Sequence, residues 1–298
     1  MITAKEARNL SKSEEHIEKI SNKVEEEIYR LHGSAFLLGD TKYAPENLMN
    51  REWMRDPNLG TLGSSNHFYE LQVVKEVVDR KKAYELGIKV GDVMGMVHTG
   101  SRDVGFYVGN RWVDRAKQAY PKNMKHPDNK IFALEGELAQ EYLIAMQTAS
   151  HYATTNRALI SEIVRQRAIQ VFGKDSNHLI TDVPHNIVIK EEIGNVHRKG
   201  ATPAYKDELL LIPGSMGDDS YLLSGLGNEK WVRSASHGAG RNISRNEMSF
   251  KGKKDKDLLR LDGVECITLK EERKIEEAPG AYKEIGPVIY SQVEEGLV

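Results

Sequence analysis

Residues 134–172 read LEGELAQEYLIAMQTASHYATTNRALISEIVRQRAIQVF, and they decide the helical part of the fold. Apolar residues recur there at the spacing of one helix face, at Leu138, Tyr142, Ala145, Ala149, Tyr152 and Ile163. The pattern predicts one long helix, with room for a single bend or break. Beyond residue 172, short apolar runs such as residues 187–189 and 209–212 alternate with glycine-rich turns, which predicts short strands. We therefore expect an α+β fold.

The rest of the chain carries shorter patterns. Residues 3–31 predict a charged helix with one apolar stripe, and residues 32–65 are rich in loop-forming residues. Three further segments follow in order: a mixed strand and helix signal over 68–78, a short charged helix over 80–86 and a buried strand over 93–98. The basic run at 251–256 is typical of a solvated loop.

The composition excludes several classes of protein. The 298 residues include 42 basic and 44 acidic side chains, and a net charge of -2 argues against a polybasic nucleic-acid binder while leaving room for a local basic groove. The single cysteine, Cys266, excludes a disulfide framework or a Cys-x-x-Cys centre. No signal peptide or apolar stretch of membrane-spanning length is visible, so we expect a cytoplasmic protein without a membrane partner.

The segment boundaries follow from the same patterns. We expect an N-terminal helix and loop-rich segment over residues 1–58. Residues 59–298 are expected to form one compact core, because no clear linker interrupts them.

Four histidines stand out because each lies where an apolar run meets a turn: His67, His98, His185 and His237. Imidazole is the commonest metal ligand in proteins, and neutral histidine is also a usable nucleophile near pH 7. From residue types alone, His67, His98 and His185 are candidates for a metal site. Ordinary structural histidines remain the alternative, because no short spacing rule links these distant positions.

Residues 213–217, PGSMG, follow a predicted strand. Their glycines could let backbone N–H groups approach an anion, and an ordinary strand-to-turn glycine pair is the alternative. No lysine of the P-loop type follows, which excludes a P-loop NTPase. Residues 260–263 read RLDG, so the lysine of a Lys-x-Asp-Gly ligase is replaced by an arginine that stays protonated and cannot attack a phosphate.

Six motifs follow one another along the chain: GTLGSSNHF (60–68), HTGSR (98–102), HN (185–186), HRKGA (197–201), IPGSMG (212–217) and SHGAGR (236–241). Together they resemble the RtcB family of GTP- and manganese-dependent RNA-splicing ligases. The resemblance runs from about Leu59 to Tyr290. It implies a single α+β domain of mixed β-sheets flanked by helices.

The resemblance also implies an activity. The family joins an RNA end with a 3′-phosphate or 2′,3′-cyclic phosphate to a 5′-hydroxyl end, in tRNA splicing or RNA repair. Its catalytic histidine, which carries guanylate from GTP, is matched by His237. Its manganese ligands are matched by His67, His98 and His185, and plausible contacts to RNA or nucleotide phosphate are Arg102 and Arg241.

The remaining implied residues form the guanylate pocket. Besides His67, His185 and His237, they are Asn66, Phe68, Tyr69, Glu70, Asn186, Pro213, Gly214, Ser215, Met216, Ser220, Gly238, Ala239, Gly240 and Tyr282. Expected partners are RNA, as tRNA halves or broken RNA ends, GTP, and an archease-type activator.

Two features of the family pattern are not found in these 298 residues. One is an Asp-x-Gly-Cys-Gly-Met element that supplies an aspartate and a cysteine to the metal, and the other is a C-terminal Lys-Gly tail. We therefore keep two hypotheses: an RNA ligase, and a truncated, non-catalytic relative that binds nucleotide or RNA. Retention of His237 favours the first, and loss of the aspartate and cysteine favours the second.

Overall fold

A computed structural model describes residues 58–63, 66–267 and 270–298. The chain divides into two compact units between Ile180 and Thr181. The predicted charged helix at 3–31, and most of the predicted loop-rich stretch, lie outside the described residues.

The described part of the first unit combines a hairpin with helices. Strands β1 (Phe68–Val73) and β2 (Val93–His98) pair antiparallel, with Phe68 opposite His98. The helices are α1 (Arg80–Glu85), α2 (Arg102–Ala119) and α3 (Gly136–Phe172). Helix α3 ends at Gly173, whose left-handed φ of 71° is a common way to end a helix.

The core of the first unit forms where α2 packs against α3. Val104, Val108 and Trp112 lie one helical turn apart on α2, so they form a single buried stripe. Ala145 and Ala149 face them from α3, and their small side chains leave room for the Trp112 ring, which lies edge-on to Tyr142. Because α3 is packed against α2, it provides a rigid support for the loops that contact it.

The described residues of the second unit form three antiparallel strand pairs. The hairpins are β3 (Asn186–Glu191) with β4 (Gly194–Lys199), and β6 (Leu209–Ile212) with β7 (Tyr221–Ser224). Strand β5 (Ala201–Pro203) pairs with the distant β8 (Ser234–Ser236). The helices are α4 (Arg245–Lys254), α5 (Glu271–Glu276) and α6 (Ile285–Glu294), with 3-10 turns at Glu229–Trp231, Asp257–Leu259 and Pro279–Ala281.

Two apolar clusters form the described core of the second unit. One joins the β6 and β8 strands to α6 through Leu210, Ile212, Ala235 and Ile285. The other packs Met248 of α4 against Ala278 and Ala281. The second cluster holds the segment that carries Tyr282.

The expected α+β fold is confirmed, and so are several of its elements. The long helix begins at Gly136 and runs unbroken to Phe172, and the short helix begins at Arg80 as predicted. The mixed signal at 68–78 resolves as strand β1. The runs at 187–189 and 209–212 lie in strands β3 and β6.

Other expectations need correction. Strand β2 exists but is only partly covered, because Val93 is 64% exposed. The basic run at 251–256 is not all loop, since its first four residues form the last turn of α4, where lysines offset the negative end of the helix dipole. Each sheet in the described residues is an antiparallel pair of strands, and the predicted segment boundary at residue 58 stays a prediction. Within the described residues, no helix combines the length and apolar character needed to cross a membrane.

We expect Trp112→Ala to lower the free energy of unfolding by about 3–5 kcal/mol, because it empties the centre of the first core. Urea unfolding followed by circular dichroism measures the change. Val113→Ala is the matched control: Val113 follows Trp112 on α2 but is 49% exposed, so its loss should stay below about 1 kcal/mol. Equal losses in the two variants would contradict this account of the core.

Candidate functional site

Two of the four histidines lie together at one end of the β1–β2 hairpin. His67 directly precedes β1 and His98 is the last residue of β2. Their ring centroids are 6.2 Å apart, and the Phe68 ring meets the His98 ring edge-on at 5.1 Å. Pairing of Phe68 with His98 across the hairpin therefore brings both imidazoles to the same strand ends.

Strand alternation sorts the neighbouring residues of β1. Phe68 and Glu70 lie on the face of the hairpin that carries His98, whereas Tyr69 lies on the opposite face against Gly95. Burial raises the pKa of the Glu70 carboxyl, and burial also raises the pKa of the Tyr69 phenol. The structure thus divides the predicted pocket residues of β1 between two faces.

The surroundings of the His67 imidazole favour its neutral form. Burial lowers its pKa and the positive charge of Arg102 lowers it further, while a hydrogen bond with the Leu62 backbone opposes the shift. Its Nδ1 atom is buried and has no hydrogen-bond partner among the described residues. A neutral ring with an unused buried nitrogen is the chemistry that a metal ligand needs. Within the described part of either unit, however, no three His, Cys, Asp or Glu side chains converge on one point.

The other two histidines lie together in the second unit. His185 directly precedes β3, and His237 directly follows β8. Their rings stack with centroids 4.4 Å apart and an angle of 27° between the planes. The predicted position of all four histidines, at the ends of apolar runs, is confirmed as a position at strand ends.

Gly200 joins His185, Asn186 and His237. Its carbonyl oxygen lies 2.6 Å from His237 Nδ1, and its N–H donates to the His185 carbonyl oxygen at 2.8 Å and to Asn186 Oδ1 at 3.3 Å. A carbonyl oxygen can only accept, so Nδ1 of His237 must carry the hydrogen. In the neutral ring, the lone pair is then on Nε2.

Residue 200 also has to be a glycine. Its φ of 72° is left-handed, and a Cβ there would lie 3.3 Å from Cε1 of His237. Sequence reasoning included Gly200 in a motif but did not predict it as a site residue. The only sequence signal was a glycine directly after a strand.

The glycine loop after β6 is closed by its own hydrogen bonds. The Gly214 N–H donates to Ser220 Oγ at 3.1 Å, the Ser215 hydroxyl donates to Asp218, and the Asp218 N–H donates to the Ser215 carbonyl oxygen at 2.9 Å. These bonds use the N–H of Gly214 and that of Asp218, which follows the loop, and the predicted anion contact of residues 213–217 stays a prediction. The Pro213 carbonyl oxygen lies 3.7 Å from the position that a Cβ on Gly238 would take. This loop therefore lies close to the loop that carries His237 and Gly238.

Arg241 and Tyr282 form a cluster with Glu277. Arg241 donates to Glu277 Oε2 and to Tyr282 Oη, both at 3.1 Å, and to the carbonyl oxygens of Glu276 and Ile243. The Tyr282 hydroxyl donates to the Glu277 carboxylate. Burial, together with the hydrogen bond to Glu277, raises the pKa of Tyr282 to about 12. The Arg241 guanidinium is thus committed to this cluster, and its expected contact with phosphate stays a prediction.

Comparison with known proteins identifies the family. A family model described as tRNA-splicing ligase RtcB matches residues 3–298. The chain belongs to the RtcB family. This confirms the resemblance seen in the motifs.

Named relatives agree with that assignment. The tRNA-splicing ligase RtcB of Pyrococcus furiosus is 36% identical over 276 residues, which cover 81% of this chain and 28% of the relative. Its counterpart in Thermococcus kodakarensis is 35% identical, with coverage of 81% and 57%. The RNA-splicing ligase RtcB homolog 2 of Entamoeba dispar is 37% identical, with coverage of 80% and 51%. The chain therefore spans between about a quarter and just over half of the length of these RtcB relatives.

The position of Arg102 beside His67 gives a pH prediction for this RtcB chain. In metal-free protein, His67 should titrate below its ordinary pKa of 6.5. Arg102→Gln should move the midpoint upward, because a nearby positive charge that opposed protonation is gone. Histidine NMR titration measures the midpoints. Arg111→Gln removes an exposed arginine of α2 that bonds Tyr107, and should leave the His67 midpoint unchanged. A midpoint that does not move in Arg102→Gln would refute the assigned cause.

The Gly200 contact gives a second prediction. Long-range ¹H–¹⁵N NMR should find His237 as the Nδ1–H tautomer in the wild type. Gly200→Ala should disturb that tautomer, because the added Cβ crowds the His237 ring, and should cost about 1–2 kcal/mol for a left-handed alanine.

Gly173→Ala is the matched control for that experiment. Gly173 has a nearly identical φ of 71° but no atom within 4 Å of the position of its Cβ. It should therefore lose similar stability without changing the His237 signal. A mixed tautomer in the wild type would show that the Gly200 carbonyl does not fix the ring.

Proposed function

We propose that this chain carries out the nucleotidyl-transfer chemistry of an RNA ligase. The ligase joins RNA 3′-phosphate or 2′,3′-cyclic phosphate ends to 5′-hydroxyl ends, with GTP as the energy source and manganese as the metal. Membership of the RtcB family supports this proposal, and so do the names of the relatives.

The observation that carries the proposal is the bond between His237 Nδ1 and the Gly200 carbonyl oxygen. In the neutral ring this bond places the lone pair on Nε2, which can attack the α-phosphorus of GTP. The Nε2–P bond forms as the bond from phosphorus to the pyrophosphate oxygen breaks, and pyrophosphate leaves with that electron pair.

The Gly200 carbonyl also assists while the bond forms. The ring gains positive charge as Nε2 bonds to phosphorus, so the Nδ1–H donor becomes stronger. An acceptor already at 2.6 Å then stabilises the charged ring without moving, which favours the transition state over the ground state. His185 stacks on this ring and holds its plane.

The later steps follow from the same group. The guanylate would pass from His237 to the 3′-phosphate of an RNA end, and the 5′-hydroxyl oxygen of the second end would then displace GMP from that phosphate. The tRNA halves or broken RNA ends, and an archease-type activator, stay proposals drawn from the resemblance.

The metal part of the proposal concerns the histidines at the strand ends. His67 and His98 offer neighbouring imidazoles, and His67 offers a buried nitrogen without another partner in the described chain. We propose these two as ligands of a divalent ion, and the ligand role of His185 stays a separate prediction. A bound divalent ion offsets negative charge on a phosphate. Imidazole suits manganese less well than carboxylate does, and zinc is the competing ion.

Incubation with Mn²⁺ and α-³²P-GTP should leave label on the chain that survives denaturation. A phosphoramidate is labile in acid and stable in alkali, so mild acid should remove the label and base should not. His237→Ala should abolish labelling. His178→Ala is the control. His178 is exposed, and its ring lies 3.3 Å from the Leu86 carbonyl oxygen, away from His237 in the sequence.

Two results would count against the proposal. Label that persists in His237→Ala, or that resists acid, would mean that another group is the nucleophile. Tight GTP binding with no covalent label would favour the alternative, a non-catalytic member of the family that binds nucleotide or RNA.

A further inference from the structure

A buried asparagine lies in the middle of helix α3. Asn156 is 0% exposed, although asparagine is a weak helix former and is rarely buried completely. A polar side chain in such a place needs partners, because each unmade hydrogen bond would cost about 1–3 kcal/mol.

All four hydrogen-bonding positions of the Asn156 amide are used. Oδ1 accepts from the N–H groups of Gly60, at 2.6 Å, and Thr61, at 3.2 Å. Nδ2 donates to the carbonyl oxygens of Thr61, at 3.1 Å, and Gly100, at 3.2 Å. One side chain thus binds two loops that are distant in sequence.

These are the loops next to His67 and His98. Gly60 and Thr61 precede His67 in the chain, and Gly100 follows His98 by two residues. The loops are also tied to each other, because the Thr99 hydroxyl donates to the Leu62 carbonyl oxygen at 2.5 Å. The next residue of α3, Arg157, donates to the Thr99 carbonyl oxygen at 3.3 Å.

We propose that Asn156 is a positioning residue that sets the separation of the His67 and His98 imidazoles for a divalent metal ion. Metal ligation tolerates errors of only about 0.2 Å in ligand distance, whereas loops are ordinarily the most mobile parts of a fold. Asn156 transfers the rigidity of the packed α2–α3 core to both loops. This inference rests on the proposed function, since it assumes that these histidines bind metal.

Mn²⁺ affinity of the folded chain tests the inference, measured from the EPR signal of free Mn²⁺. Asn156→Ala frees both loops and should weaken Mn²⁺ binding by about 10–100-fold, the usual effect of losing a residue that orients a ligand. Asn156→Asp keeps an acceptor for the N–H groups of Gly60 and Thr61 but cannot donate to the carbonyl oxygens of Thr61 and Gly100, so it should weaken Mn²⁺ binding as well.

Ile160→Ala is the matched control. Ile160 is a buried residue of the same helix, 7% exposed, and its aliphatic side chain makes no hydrogen bond to either loop. The variant should lose stability in urea as Asn156→Ala does, yet keep Mn²⁺ affinity within about twofold. Histidine NMR of the metal-free chain should show shifted His67 and His98 signals in Asn156→Ala, and unshifted ones in Ile160→Ala.

The outcomes separate this inference from the proposed function. Wild-type binding that His67→Ala weakens, together with unchanged affinity in Asn156→Ala, would overturn the role of Asn156 and leave the metal site standing. Equal losses in Asn156→Ala and Ile160→Ala would reduce the effect to stability and also overturn it. Wild-type protein that binds no Mn²⁺ would overturn the metal site, and this inference with it.

Discussion

Two strands cannot hold a side chain in place by themselves, and each sheet in the described chain has only two strands. All four histidines lie at strand ends, where the hydrogen-bonded ladder stops. Their positions therefore depend on polar groups that bind the adjoining loops from outside the ladder. Asn156 does this in the first unit, and the backbone of Gly200 does it in the second.

A buried ion pair in the second unit joins the strands on either side of the Gly200 contact. The side chain of Arg198 on β4 is 1% exposed and lies 2.7 Å from Glu191, whose side chain is 7% exposed. Arg198 also donates to Ser234 Oγ on β8 and to the Val232 carbonyl oxygen. It thereby ties the strand that leads to Gly200 to the strand that leads to His237. A buried pair of this kind gains little stability over apolar packing, but it fixes which strands are neighbours.

The sequence predicted the elements that depend on local patterns. The long helix and the hairpin strands follow from apolar spacing, and the histidines were found because each ends an apolar run. Helix α2 was missed although Val104, Val108, Trp112 and Ala116 are spaced four apart, because Gly105 and Gly109 weaken the helix signal between them. Here packing against α3 outweighs the low helix propensity of glycine.

The part of the site that the sequence did not predict depends on contacts between residues that are distant in the sequence. The φ of Gly200 and the burial of Asn156 are set by tertiary structure, so neither residue differs in the sequence from an ordinary loop glycine or helix asparagine. The partners of Arg241 were hidden for the same reason, since Glu277 lies 36 residues away in the sequence.

The pairing of β5 with β8 has a consequence for the order of folding. The hairpins β3–β4 and β6–β7 join neighbouring segments, but β5 and β8 can pair only after residues 204–233 have formed a closed excursion between them. Contacts of such long range are slow, because chain entropy is lost before the contact energy is gained. His237 directly follows β8, so we expect its ring to reach Gly200 and His185 late in folding. A chain that has not completed this unit would then carry a His237 imidazole whose tautomer the Gly200 carbonyl does not yet fix.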